Sequence, residues 1–264
     1  MEYKEILLEK EGGVAILTFN RPEKLNALSF SMRGEIHAAM QEVQEDDGVR
    51  ALIVTGAGRG FCSGADVAIQ AARIAGQLEE TSRKTILEMV GSVLLALEKV
   101  NKPVIAAING VAAGVGLSFA LACDIRIASE EARFSAIWVR RGLIPDGAAT
   151  YLLPMLVGID RALEMSFTGE MIDAAEAERI RLVTRVVPAA ELMVRAKELA
   201  RKIADGPPIA MELIKKVMWE EVRNNIRKHL IFESYSQNVC RKTQDHREGS
   251  LAAKEKRPAK FKGL

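Results

Sequence analysis

A chain of 264 residues, 48% of them hydrophobic, is long enough to bury the core of one large α/β domain, or of one domain with a helical extension. Its 37 Lys and Arg nearly balance 35 Asp and Glu, a net charge of +2, and the basic residues are scattered, which removes the electrostatic case for nucleic acid. Cys62, Cys123 and Cys240 form no CxxC pair and the three histidines show no ligand spacing, so neither a disulfide framework nor a metal site is expected. The opening MEYKEILLEKEGG lacks the apolar run of a signal peptide, and a cytoplasmic protein is the expectation.

Residues 3–9 and 13–19 alternate as a β-hairpin turning at Gly12-Gly13. A helix begins at Ser29 or Ser31 and runs to about Gln44, with Met32, Ile36, Ala39, Met40 and Val43 at helical spacing. Val49–Thr55 reads as a strand buried on both faces. A glycine-rich loop covers residues 56–66, and a helix is expected over Thr81–Val100. Strands follow at Ile125–Ala128 and Ala132–Phe134, then a loop at residues 141–147. Helices are expected at Ala148–Leu153, Ala162–Phe167 and Ala174–Arg179, and a strand at Val183–Val187. Three helices then occupy 189–204, 207–228 and 229–245, with Asp205-Gly206-Pro207-Pro208 as a break. The division expected is an α/β core over 1–200 and a helical region over 201–264. The tail from Lys254 to Lys262 leans basic: it is either a solvated end or a phosphate contact.

The stretch Pro103–Asp124 holds no charge until its last residue, which raises the question of a membrane span. Its internal pattern argues otherwise. Val104–Ile108 is a short buried strand ending at Asn109-Gly110; Gly114 and Gly116 expose backbone N–H groups; Leu117, Phe119, Ala120 and Leu121 continue as a buried helix. The loop at 56–66 has the same layout but matches neither nucleotide-binding glycine fingerprint. Two such loops facing each other would direct two N–H donors at one oxygen, the construction of an oxyanion hole.

Five ordered segments, NRPEKLNAL (20–28), GRGFCSGAD (58–66), KPVIAAINGVAAGVG (102–116), CDIRIAS (123–129) and GLIPDGAAT (142–150), resemble the enoyl-CoA hydratase/isomerase, or crotonase, superfamily. The C-terminal TQDHREGSLAAKEKRPAKFKG is similar to that family's closing helix and tail. The resemblance implies a crotonase-like α/β spiral of ββα repeats with a C-terminal helical trimerisation region, giving a homotrimer or a dimer of trimers. It implies an acyl-CoA thioester substrate, with coenzyme A part of the substrate and no separate cofactor or metal. The oxyanion hole is placed on the N–H groups of Ala65 and Val115, the latter within Gly114-Val115-Gly116 where the family usually has three glycines. Coenzyme A contacts are placed on Lys24, Leu25 and Ala27, and on Ser63, Ala65, Asp66 and Val67. Phe261 and Lys262 are placed at a neighbouring subunit's coenzyme A. Read as residues alone, Leu25 and Ala27 suit a core and Asp66 a helix N-cap.

Two departures bear on chemistry. Where typical hydratases of the family carry two glutamates, this chain has Ser118 and Trp138. Neither exchanges protons near neutral pH as a tuned carboxylate does. With Gly114, both are placed at the substrate, Trp138 as a wall of the acyl pocket. Asp146, in IPDG, is the carboxylate that remains nearby. It suits a helix N-cap, and it also stands where several superfamily members place their catalytic acid. The expected activity is therefore double-bond isomerisation of an enoyl-CoA with Asp146 as acid/base. The alternatives are a hydratase with atypical residues and a non-catalytic CoA-ester-binding homologue. Trp138 and Asp146 also match the spacing in 4-chlorobenzoyl-CoA dehalogenase, but that enzyme's histidine has no counterpart in Glu88–Ser92. Glu88 and Glu164 are further carboxylates that suit solvated helix faces; as candidates to approach the site Glu88 is the better, because the resemblance implies that its helix borders the acyl pocket. Gly116-Leu117-Ser118-Phe119-Ala120 lacks the last glycine of GxSxG, which disfavours a serine hydrolase.

Overall fold

The computed structural model describes residues 3–66 and 93–264. Among the described residues ten strands form two sheets. The larger takes β1 (Ile6–Glu11), β2 (Val14–Phe19), β3 (Ala51–Gly56), β5 (Val104–Ile108), β7 (Ile125–Ser129) and β10 (Arg185–Val187), in the order β1-β2-β3-β5-β7-β10. The smaller takes β4 (Gly60–Cys62), β6 (Val111–Ala113), β8 (Arg133–Ser135) and β9 (Met171–Asp173), in that order. β1 and β2 are antiparallel, while β2, β3, β5, β7 and β10 run parallel. Each of β3, β5 and β7 leads through a short turn into the neighbouring member of the second sheet, β4, β6 and β8. Successive turns therefore stack as a spiral of strand pairs and helices. The three-residue strands β4 and β6 lie in segments whose glycines had suggested loop; the parallel ladder to the next turn supplies the pairing that local sequence does not.

The helices are α1 (Phe30–Glu45), α2 (Val115–Ala122), α3 (Ala149–Val157), α4 (Ile159–Thr168), α5 (Ala174–Arg179), α6 (Leu192–Ala204), α7 (Pro208–Arg241) and α8 (Gln244–Lys254). Residues 93–98 are also helical; the rest of the helix expected at Thr81–Val100 lies outside the described residues, as do Val67 and Glu88. The charge-free stretch is β5, β6 and α2, and among the described residues no helix is long and apolar enough to cross a membrane.

The uninterrupted apolar runs of β3 and β5 follow from burial on both faces. Leu52, Val54, Val104, Ala106 and Ile108 enter the main core, whereas Ala51, Ile53, Ile105 and Ala107 turn to α6. There Leu192, Ala196, Ala200 and Ala204, spaced by four, line the contact with small side chains. Ser29 starts α1 by accepting a hydrogen bond from the Met32 N–H at 3.0 Å.

Two expectations are corrected. The helices expected at 207–228 and 229–245 are one 34-residue helix, α7, with α8 following it. No glycine or proline interrupts 209–241, and Arg227-Lys228-His229 is an ordinary polar turn of it. Its length, about 50 Å, lets it touch the core at widely separated points. Near its start, Lys215 is buried and bonds Asp124 at 2.8 Å and the Lys102 carbonyl at 2.9 Å. Asp124 also accepts from the Val104 N–H at 2.7 Å, so this ion pair fastens α7 to the first residue of β5. Replacing Asp124 by alanine strands the ammonium group, and urea unfolding should show a loss of roughly 3–5 kcal/mol. The double replacement Asp124→Leu with Lys215→Met should recover much of that loss; a loss equal to that of the single variant would refute this role for the pair.

Candidate functional site

Three partly open residues lie among buried ones: Ala65, Val115 and Asp146. The backbone accounts for the first two. Leu28 and Ala65 form a parallel bridge in which the Leu28 N–H bonds the Gly64 carbonyl at 2.8 Å and the Asp66 N–H bonds the Leu28 carbonyl at 3.1 Å. The intervening Ala65 N–H points the other way, because peptide groups alternate along an extended chain. Val115 is the first residue of α2, where an N–H has no partner within its own helix. Among the described residues neither N–H has an acceptor. The loops are pressed together backbone to backbone. A Cβ on Gly116 would sit 2.1 Å from the Cys62 carbonyl oxygen, so only glycine permits this approach.

Asp146 is held from several elements. Its Oδ1 accepts from the indole Nε1 of Trp138 at 3.0 Å and its Oδ2 from the amide of Gln237, on α7, at 3.0 Å. Gln237 also donates to the Ile144 carbonyl at 2.8 Å. The hydroxyl of Ser118, buried on α2, donates to the Asp146 carbonyl at 2.7 Å, joining the acid to the helix that begins at Val115. Burial pushes the Asp146 carboxyl above the usual carboxylate range; the Trp138 bond, the charges of Arg241 and Arg33, and the Gln237 bond pull it down without overcoming that effect.

The N-cap role open to Asp146 is taken by another residue. The cap position of α3 is Ala148, which has no side-chain bond to offer. Glu233, buried on α7, accepts instead from the Ala148 N–H at 2.8 Å, the Thr150 N–H at 3.1 Å and the Thr150 hydroxyl at 2.5 Å. Thr150 in turn meets His229 Nδ1 at 3.1 Å. Gly147 and Ala148 both have left-handed backbone, with φ of +64° and +62°, and this turn separates Asp146 from its helix. Sequence reasoning missed Glu233 and Gln237. Their signal was a polar stripe at spacing four, His229, Glu233, Gln237 and Arg241, along one side of a long helix.

The remaining residues placed by resemblance fall into three groups. Lys24, Leu25 and Ala27 are brought beside Ser63, Ala65 and Asp66. The Ser63 N–H bonds the Leu25 carbonyl at 3.0 Å, and Arg21 bridges the Ala27 carbonyl at 2.6 Å and Asp66 at 2.9 Å. Gly114 and Trp138 are buried against the main core, with Ser118 between the loop and Asp146. Phe261 and Lys262 are exposed and held elsewhere: the Lys262 N–H bonds Asp245, at the start of α8, at 2.7 Å. Glu164 lies on α4, bonded to Arg161 at the surface. Among the described residues no cluster of His, Cys, Asp and Glu could hold a metal ion.

A spiral of strand pairs whose glycine loops leave two backbone donors open beside one carboxyl group matches a family of known proteins. The chain belongs to the enoyl-CoA hydratase/isomerase family, whose model matches residues 9–264. It is 40% identical to a short-chain-enoyl-CoA hydratase of Clostridium acetobutylicum, across 97% of each chain. It is 36% identical to a 1,2-epoxyphenylacetyl-CoA isomerase of Escherichia coli, across 98% of each. The crystal structure of an enoyl-CoA hydratase from Mycobacterium avium subsp. paratuberculosis superposes with a TM-score of 0.87 at 33% identity, covering 99% of this chain and 100% of that one. The fold is accordingly the crotonase spiral.

Burial raises the Glu233 carboxyl to about 7. An acid with a raised pKa binds its proton more tightly folded than unfolded, so its contribution is present at low pH and is lost as pH rises from about 4.5 to about 7. Stability of the protein minus that of Glu233→Gln should therefore fall by roughly 3 kcal/mol across this window. Urea unfolding at several pH values measures it, and a pH-independent difference would contradict the assignment.

Proposed function

We propose that this protein is an enoyl-CoA isomerase in which Asp146 moves a proton between two carbons of the acyl chain. The N–H groups of Ala65 and Val115 hold the thioester oxygen as it gains charge, stabilising the enolate between the two proton transfers. One observation carries the reading. Asp146 is a partly open carboxyl joined to the helix that begins at Val115, and Ser118 and Trp138, at the hydratase glutamate positions, are both bonded to it. Its elevated pKa suits a group that must take up and return one proton. Of the neighbouring carboxylates, Asp66 is paired with Arg21 and both oxygens of Glu233 are occupied by the start of α3.

The coenzyme A moiety is assigned to Lys24, Leu25, Ala27, Ser63, Asp66 and Val67, and the acyl pocket to Gly114, Ser118 and Trp138. The reaction needs no cofactor beyond the coenzyme A of the substrate. We assign residues 1–200 to the catalytic core and 201–264 to assembly, in a cytoplasmic homotrimer or dimer of trimers. Large exposed apolar side chains on α7 (Val217, Met218, Phe232, Tyr235) and α4 (Ile159, Phe167) support assembly. Phe261 and Lys262, exposed and with the Lys262 N–H held by Asp245, then reach a neighbour's coenzyme A. Size-exclusion chromatography with light scattering should give three or six times the 28.9 kDa chain mass; a monomer would overturn this.

Hydration is the second reading, favoured by the name of the hydratase that is 40% identical. Incubation with a 3-enoyl-CoA and with crotonyl-CoA separates the two: isomerisation conserves product mass, and hydration adds water. Asp146→Asn should lower turnover by roughly 10²–10⁴-fold while leaving CoA-ester binding intact. Retained turnover would remove Asp146 from its role, and tight binding by the unaltered protein without turnover of any enoyl-CoA would favour a non-catalytic homologue.

A further inference from the structure

We propose that Glu233 is a positioning residue for the Asp146 carboxyl group: from α7 it caps the helix that Asp146 would otherwise cap, leaving the Asp146 carboxyl to be held by Trp138 and Gln237. The inference rests on the reading of Asp146 as the acid/base.

An aspartate two or three residues before a helix ordinarily folds back onto the exposed N–H groups of the first turn. Here those donors belong to Ala148 and Thr150, and Glu233 has both, at 2.8 and 3.1 Å, together with the Thr150 hydroxyl. With its helix already capped, Asp146 is bonded through Oδ1 and Oδ2 to Trp138 and Gln237. Gln237 is one turn beyond Glu233 on the same helix, so a single rigid element sets both the turn and the carboxyl group. The turn needs such a brace. Ala148 is a non-glycine residue at positive φ, a conformation that persists only when its surroundings impose it. A Cβ on Gly147 would meet Leu94 at 2.7 Å and Ser118 at 3.1 Å, so the turn is also boxed from the side of α2.

The ionised form of Glu233 is the one that accepts all three donors; protonation gives up an acceptor site. The charged and titratable groups facing this assembly are Asp146 from the loop, His229 and Arg241 from α7, and Arg33 from α1. Of these, Glu233 is the group that accepts from the N–H groups of Ala148 and Thr150. Because it titrates at about 7, the hold on Asp146 tightens as pH rises through that value.

The test compares kcat and KM of the full-length protein with those of Glu233→Gln, from pH 5.5 to 9, on whichever enoyl-CoA it turns over. Glutamine loses the charge and cannot accept from both N–H groups at once. The expected result is a kcat lower by roughly 10- to 100-fold with KM within about twofold, and loss of the rise in kcat near pH 7. The Trp138 indole N–H resonance, which reports the bond to Asp146, should shift. Glu233→Asp should recover part of the kcat. A kcat within twofold of the unaltered enzyme, or a lower kcat with an unchanged pH profile and indole resonance, would overturn the proposal. Should Glu233→Gln fail to fold, Thr150→Val removes one of the three donors and should show the same changes, smaller. Asp146→Asn serves as the control: if it retains turnover the acid/base reading has failed, whereas its inactivity beside an unaffected Glu233→Gln confines the failure to the positioning role.

Discussion

The site depends on the closeness of two peptide backbones. A Cβ at position 116 would lie 2.1 Å from the Cys62 carbonyl, and the absence of one brings the start of α2 against the loop after β4. That contact leaves the N–H groups of Ala65 and Val115 open at one junction, one by strand alternation and the other by helix start. Neither donor requires a particular side chain. This is why valine can stand at the middle of Gly114-Val115-Gly116 while the flanking glycine is sterically obliged. The parallel ladders on either side, β3 to β5 and β4 to β6, hold the two loops in register.

The acid is held by a different principle, desolvation offset by donors. Burial raises the proton affinity of Asp146; an indole and an amide, one at each oxygen, and two nearby guanidinium groups limit the rise. Such a balance suits a group that has to pass through both protonation states. Ser118 adds a tie through the backbone. Its hydroxyl, on the helix that opens at Val115, bonds the Asp146 carbonyl, so the acid and one backbone donor are tied together through a single turn of helix.

Much of this was legible in residue order because it is local. The hairpin, α1 with its Ser29 cap, β3, β5 and the glycine pair 114 and 116 follow from patterns within about ten residues. Asp146 stood out only through the family resemblance of residues 142–150, since its local pattern suits a helix N-cap equally well. The short strands β4 and β6 were not legible: three residues carry no period, and what makes them strands is a neighbour some fifty residues away. The α7 helix was divided at Arg227-Lys228-His229 because a charged turn resembles a helix end until its neighbours are known.

Glu233 and Gln237 mark the limit of local reading most sharply. In the sequence they fall within the helix expected at 229–245, where nothing local singles them out. In the fold they meet backbone and carboxyl groups 85 and 91 residues earlier in the chain. Their spacing of four carries the information, since a polar stripe that includes an isolated glutamine between a glutamate and an arginine has no use in water. Once α7 is anchored at Asp124 through Lys215, its rise per residue fixes where Glu233 and Gln237 arrive. This long helix is thereby also the rear wall of the candidate acid, and a change in how α7 sits must move the turn at Gly147 and Ala148.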